Sequence, residues 1–242
     1  HRLPRRISRE EFFADLKPLL AIATPAVLTN LATPIGGSFV LRAISQFGDS
    51  AVAGAAIMGR ITPVALCAIF ALSSAVGPII GQNAGAGHYD RVRSTLRNAM
   101  LFNVIYVLVA WGLLALAGDG IVRVFSASDT AAELILFYCH FLVGASLFNG
   151  ALFVSNASFN NLHHPQWATG FNFGRVFLGT IPFVYLGAHW YGAKGVLLGE
   201  ALGSIIFGSL AVVAAFYLIR RLERDRKERG RDSQSVIVQY LS

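Results

Sequence analysis

Six stretches of this chain carry no Asp, Glu, Lys or Arg: residues 18–41, 61–89, 98–118, 134–174, 176–193 and 201–219. Most are long and apolar enough for a helix, rising 1.5 Å per residue, to cross ~30 Å of hydrocarbon. Helices of a water-soluble domain show a polar face, which such stretches lack. The pattern predicts an all-α integral membrane protein, a six-transmembrane-helix bundle.

The first crossing is read from about Leu16 to Gln46, the second from about Ser50 to Ile80, and the third from about Ser94 to Leu116. The fourth runs from about Thr130 to Leu162. His163, His164 and Pro165 then break the 134–174 stretch, which is too long for one crossing. The fifth covers about Gln166 to Leu186 and the sixth about Ala193 to Ile219. Pro25, Pro34 and the Gly36-Gly37 pair predict a bent first helix. Residues 1–15 read as a cytoplasmic, interfacial lead-in, with Ser8 and Glu11 at capping-box spacing. Residues 16–219 form the bundle, and 220–242 a basic cytoplasmic tail.

Charge sets the orientation. Fifteen basic residues flank the spans on one face: Arg2 to Lys17 ahead of the first, Arg91, Arg93 and Arg97 after the second, and seven from Arg220 to Arg231. The opposite face has only Arg123 and Lys194. Under the positive-inside rule both termini lie in the cytoplasm, and the protein is a multi-pass protein of the cytoplasmic (inner or plasma) membrane.

Composition agrees: charged residues make up 14% and mean hydropathy is +0.57, against about 25% charged in ordinary globular chains. The net charge of +7 sits at span ends, not on an aromatic-interleaved surface, which excludes a nucleic-acid partner. Cys67 and Cys139 fall inside spans and read as small core residues. No His, Cys, Asp and Glu group has metal-ligand spacing, and no nucleophile stands near a base, so no metal, cofactor or enzyme activity is expected. The chain opens on HRLPRR, with neither an initiator Met nor a signal peptide, and is expected to be a fragment of a longer protein.

Polar groups inside the spans are the functional candidates. Glu200 is the only carboxylate well inside any span, roughly 10 Å deep at 1.5 Å per residue. Arg60 lies at a comparable depth, so an Arg60–Glu200 pair is expected, as a structural lock or a cation-responsive carboxylate. Arg42 snorkels, and Arg175 sits near mid-depth without an acid partner. Ser146, Asn149, Phe153, Asn156 and Asn160 recur at three, four, three and four, on one helix face. That face reads either as interhelical hydrogen bonding or as a cavity lining for substrate; Asn30 is a weaker candidate on the first helix. Gly195, Gly199 and Gly203 form a GxxxGxxxG packing stripe, and Gly170 and Gly174 a lesser one.

The segment from Gly81 to Gly87, GQNAGAG, has the glycines of a phosphate loop but neither its spacing nor a preceding strand, and reads as a helix exit. With the basic residues that follow, it resembles the multidrug and toxic compound extrusion (MATE) family, whose six-helix halves leave the second helix through a GQ-x-x-GAG-like stretch. The matching positions are Gly81, Gln82, Gly85 and Gly87; Pro25 and Arg42 on the first helix, and Arg60 and Pro63 on the second, are also similar. The resemblance covers about Leu16 to Phe216. It implies one half, the C-terminal one, of a twelve-helix pseudo-twofold transporter, with the other half as its partner. It also implies H+- or Na+-coupled export of small organic, cationic or amphipathic compounds by alternating access. The sodium-coupled branch has acids on the first and fourth helices of this half, where this chain has Asn30 and Asn149 or Asn156. Coupling then falls to Glu200 or to the other half. Two further readings stay open: a lipid-linked glycan flippase, which Arg60 and Arg175 favour, and a non-transporting membrane scaffold.

Overall fold

The structure, a computed structural model, describes residues 9–127 and 129–241, and all its elements are helical. They are α1 (Arg9–Ser45), α2 (Asp49–Ala65), α3 (Cys67–Ala86), α4 (Tyr89–Val124), α5 (Asp129–Phe137), α6 (Ser146–Asn161), α7 (Pro165–Gly174) and α8 (Ile181–Leu241). A π turn at Tyr138–Leu142 and a 3₁₀ turn at Val143–Ala145 join α5 to α6, and a second π turn, Arg175–Thr180, joins α7 to α8. The stretches Cys67–Ala86, Tyr89–Val124, Asp129–Asn161 and Pro165–Glu228 are each long and apolar enough to cross a membrane. The last is folded in two at Gly192, whose φ of 59° and ψ of −142° leave the helical region. With α1 and the α2–α3 pair, this makes a bundle of six rods.

Two boundaries differ from the sequence reading. The expected interfacial lead-in is continuous with the first crossing, because α1 runs unbroken from Arg9; Ser8 lies outside the described residues. The second crossing is split at Leu66, three residues past Pro63. Proline removes one ladder donor and displaces the preceding turn. The carbonyl of Ala65 at this break accepts a hydrogen bond of 2.8 Å from the Tyr106 hydroxyl on α4. In hydrocarbon such a carbonyl has no water to turn to, so a partner from a neighbouring helix is what lets the break persist.

The GxxxGxxxG stripe closes the turn at Gly192 into a helical hairpin. Gly195 abuts Gly187, Gly199 abuts the backbone at Phe183, and Gly203 abuts Gly179. Each pairing steps four residues forward on one arm and four back on the other, the register of antiparallel helices in backbone contact. No side chain fits between them. Farther along, Gly174 faces Phe207, and Gly208 lies against Phe148 of α6, while Gly170 faces open space. Asn103 of α4 donates from Nδ2 to the Leu147 carbonyl at 2.8 Å, in room left by Gly150.

The core has two main layers. Val76, Ile80, Leu96, Leu152, Phe159 and Leu218 fill one end; Ile44, Met58, Leu134, Ile135, Val184 and Val196 fill the other. On α4 the exposed residues Leu101, Ile105, Leu108, Leu113 and Leu116 recur at helical spacing. A large apolar stripe turned outward suits lipid, not water.

Beyond Ile219, α8 continues as a polar helix tied to the α3–α4 turn. Glu223 is held by Arg93 and, at 2.7 Å, by Lys227, and Arg226 donates to the Ala84 carbonyl at 3.3 Å. Hydrogen bonding from Lys227, with the charges of Lys227 and Arg93, holds the Glu223 carboxyl below the usual carboxylate range. A carboxyl depressed in the folded state contributes stability above its unfolded pKa of ~4.3, and that contribution fades as pH falls through the folded value. Glu223→Gln is therefore expected to lower Tm at pH 7, by the equivalent of up to about 1 kcal/mol per exposed pair. The gap from wild type will close below about pH 4. Melting curves from pH 7 to 3 test this; a gap that stays constant would exclude the ion pairs as its source.

Candidate functional site

A cleft of about 710 Å³ opens between α1, α2, the α5–α6 rod and α8. Its walls are mostly apolar, with Val40, Leu41, Ala55, Met58, Leu142 and Leu197 among them. Gly37 and Gly59 border it with open space where a Cβ would stand. The polar lining is Thr33, Thr62, Tyr138, Ser146, Asn149, Ser204 and Glu200.

Glu200 is the one charged residue among these. It lies half-buried on the arm of the hairpin that carries the glycine stripe. Thr62 donates to the Met58 carbonyl at 2.8 Å, and its oxygen is 2.7 Å from the Tyr138 hydroxyl. With its own proton engaged, Thr62 accepts from Tyr138. The Tyr138 oxygen also takes a hydrogen bond from Ser146, and Glu200 is the nearby charged group on the same cleft wall. Tyr138 opens the π turn Tyr138–Leu142. Such turns recur at functional sites because the extra residue re-aims the side chains around it.

The expected Arg60–Glu200 pair does not form. Arg60 is exposed and outside the cleft lining, and among the described residues the basic side chain nearest in effect to Glu200 is Arg175, without an ion pair between them. Equal depth along two helices does not bring two side chains together, and Arg60 lies on an exposed part of α2. Arg175 stands at the start of the second π turn, half-buried, its Nε without a hydrogen-bond partner. Arg42 is exposed.

The five-residue polar face of the fourth rod divides. Ser146 and Asn149 line the cleft. Phe153 turns to α3, its ring 5.3 Å from that of Phe70, within a cluster around Leu66, Ile69 and Val107. Asn156 is half-buried with its Oδ1 unpartnered, and Asn160 is exposed. These residues share one face, so position along the rod divides them: Ser146 and Asn149, at its start, meet the cleft, and Phe153, a turn further on, meets α3. Asn30 and Pro25 lie on α1, but their side chains are outside those described.

The GQNAGAG segment is a helix exit. Gly87 has a φ of 83°, Gly87 N donates to Ala84 O and His88 N to Asn83 O, which together close α3 in a left-handed cap. Asn83 Nδ2 donates to Ile79 O at 2.8 Å. Gly81 faces Asn161 of α6, while Gln82 and Gly85 are exposed.

Tyr138, Thr62 and Ser204 were not singled out from the sequence. A signal existed for the first: 138, 142, 146 and 149 continue the fourth-rod stripe one further turn or more. Thr62 and Ser204 follow the charged residues Arg60 and Glu200 closely, but single hydroxyls inside spans are too common to stand out.

The MatE family model matches residues 25–186. The chain belongs to this family of multi-pass membrane transporters, whose members are not enzymes. It is 34% identical over 215 residues to an uncharacterized 21 kDa protein in the iaaL 5′ region of Pseudomonas savastanoi, covering 86% of this chain and 69% of that one. To an FAD transporter of Shewanella oneidensis it is 29% identical, covering 86% of this chain and 45% of that one. Among solved structures, a mutant of the Vibrio cholerae MATE transporter VcmN superposes with a TM-score of 0.81 at 25% identity, over 88% of this chain and 49% of that one. The chain thus spans about half the length of these two transporters.

Proposed function

We propose that this chain forms one six-helix bundle of an ion-coupled exporter of small organic, cationic or amphipathic compounds, with H+ or Na+ as the coupling ion. The observation supporting this most directly is Glu200, the single charge in an otherwise apolar cleft lined by hydroxyls and an amide. A carboxylate inside a membrane is costly unless a proton, a metal cation or an organic cation neutralises it. One group able to take any of the three in turn is the minimum needed to exchange ion for cargo. A second six-helix bundle completes the transporter, the two halves rocking about the cleft in alternating access. The basic flanks favour the cytoplasmic membrane, with both ends of this chain on the cytoplasmic side. A flippase for anionic lipid-linked glycans fits less well, since the cleft presents a carboxylate and neither Arg60 nor Arg175 lines it.

Cysteine labelling in the full-length transporter tests whether cargo occupies this cleft. Asn149→Cys is expected to react with a water-soluble maleimide, and ethidium to slow that reaction severalfold. Asn156→Cys, outside the cleft lining, is expected to react far more slowly and without ethidium protection. Equal labelling at both positions, or labelling at 149 that ethidium leaves unchanged, would remove the cleft from the transport path.

A further inference from the structure

At the end of the bundle that carries the basic flanks, a separate pocket of about 420 Å³ opens between the α3–α4 turn and the extension of α8. The turn lines it from Gly87 to Arg91, and the extension contributes Glu223, Arg226 and Lys227. Both carboxylates here are engaged by one cation from below: Arg93 pairs with Asp90 at 3.5 Å and with Glu223. Lys227 is also spent on Glu223. Two guanidiniums remain. Among the described residues Arg91, which is exposed, enters no ion pair, and Arg226, packed on Gly87, donates to the Ala84 carbonyl and enters none.

The pocket lies at a definite depth. Glu223, Arg226 and Lys227 stand four to eight residues past Ile219, the last apolar residue of the sixth crossing. At 1.5 Å per residue this is roughly 6–12 Å beyond the hydrocarbon edge. The polar layer of each leaflet extends about 5–8 Å from that edge. Glu223 stands within this layer and Arg226, about 10 Å out, just past it. The long Arg226 stem must therefore reach back for its guanidinium to meet phosphodiester oxygens, which guanidiniums match in charge and donor geometry. Tyr89 supplies an amphipathic ring common at this level.

We propose that this pocket binds the headgroup of an anionic phospholipid, with Arg91 and Arg226 closing on its phosphate from the turn and from the α8 extension. A lipid held this way joins the second and third rods to the sixth outside the membrane, alongside the Arg93–Glu223 pair. The site is distinct from the cleft around Glu200 and does not depend on what the cleft transports.

Native mass spectrometry of the full chain, titrated with phosphatidylglycerol and with phosphatidylcholine of the same acyl chains, tests the proposal. Wild type is expected to retain phosphatidylglycerol in clear preference. Arg91→Gln with Arg226→Gln is expected to weaken that retention about tenfold, given the attraction of each basic residue near an anionic surface. Arg220→Gln with Arg224→Gln removes the same charge from exposed positions outside the pocket and is expected to leave retention near wild type. Arg91→Gln alone changes an exposed side chain without an ion-pair partner; it is expected to show part of the loss even if the double variant folds poorly. Equal losses in the two double variants would mean diffuse attraction and overturn the site, as would a wild type without lipid preference. Displacement of phosphatidylglycerol by millimolar inorganic phosphate would also overturn it, since the ligand would then be a soluble anion.

Discussion

Glu200→Gln is expected to cut ion-driven transport by the full-length protein about tenfold or more, which corresponds to about 1.4 kcal/mol or more of lost driving interaction. Glutamine keeps the size of the side chain and removes only its capacity to bind and release a cation. Ser204 donates to the Glu200 backbone carbonyl, at 3.1 Å, so local helix geometry survives the change. The hairpin around the site is held by glycine contacts that the substitution leaves alone. Melting temperature is thus expected to stay near wild type or rise, since a half-buried charge has been removed. Glu200→Asp retains the charge on a shorter stem and is expected to fall between the two. The measurement is ethidium movement into proteoliposomes under an imposed proton or sodium gradient. Wild-type rates in Glu200→Gln under both gradients would show that the coupling group lies elsewhere, with the other bundle the first place to look.

Gly199→Leu is expected to prevent the bundle from assembling. A Cβ added there would overlap the backbone of Phe183 and Val184 on the opposing arm, and those atoms cannot swing aside as a side-chain tip would. Overpacking of a tight interface costs about 1–3 kcal/mol and occasionally more. Here the arms must separate along the whole stripe, which also carries Gly195 and Gly203, so the upper part of that range or beyond is expected. Gly170→Leu is the matched control, because its Cβ meets open space. In detergent, size-exclusion profiles are expected to show Gly170→Leu as a monodisperse species and Gly199→Leu as aggregate. Comparable profiles for the two would mean that the hairpin can open without loss of the fold.

The six crossings were legible because burial in lipid imposes one-dimensional demands. A helix needs some twenty uncharged residues whatever surrounds it, and basic flanks mark its ends. The same holds for the glycine stripe, whose spacing of four names a packing face without naming its partner, and for Gly87, where a left-handed cap at a helix end is a local matter. The split at Leu66 was not legible. Pro63 announced some disturbance, but whether a helix bends or breaks depends on what receives the freed carbonyl, and that group is Tyr106, some forty residues on.

The surroundings of Glu200 illustrate the remaining gap. Depth follows from counting residues along one helix, and it made Arg60 and Glu200 neighbours in one coordinate. Contact needs the rotation of both helices and the distance between their axes as well. For Glu200 they are set by how the Gly195–Gly203 stripe seats against Gly179 and Gly187, which leaves Glu200 on the cleft wall that Tyr138 shares. Likewise the fourth-rod stripe was visible from its spacing, but packing against α3 decided that Phe153 joins the core while Asn149 faces the cleft. By itself the sequence determined the class of protein, the number of crossings and which residues are costly inside a membrane, because those follow from composition and period along the chain. Only the tertiary structure decided which of the costly residues meet, because that is fixed by backbone-to-backbone contacts between segments far apart in sequence.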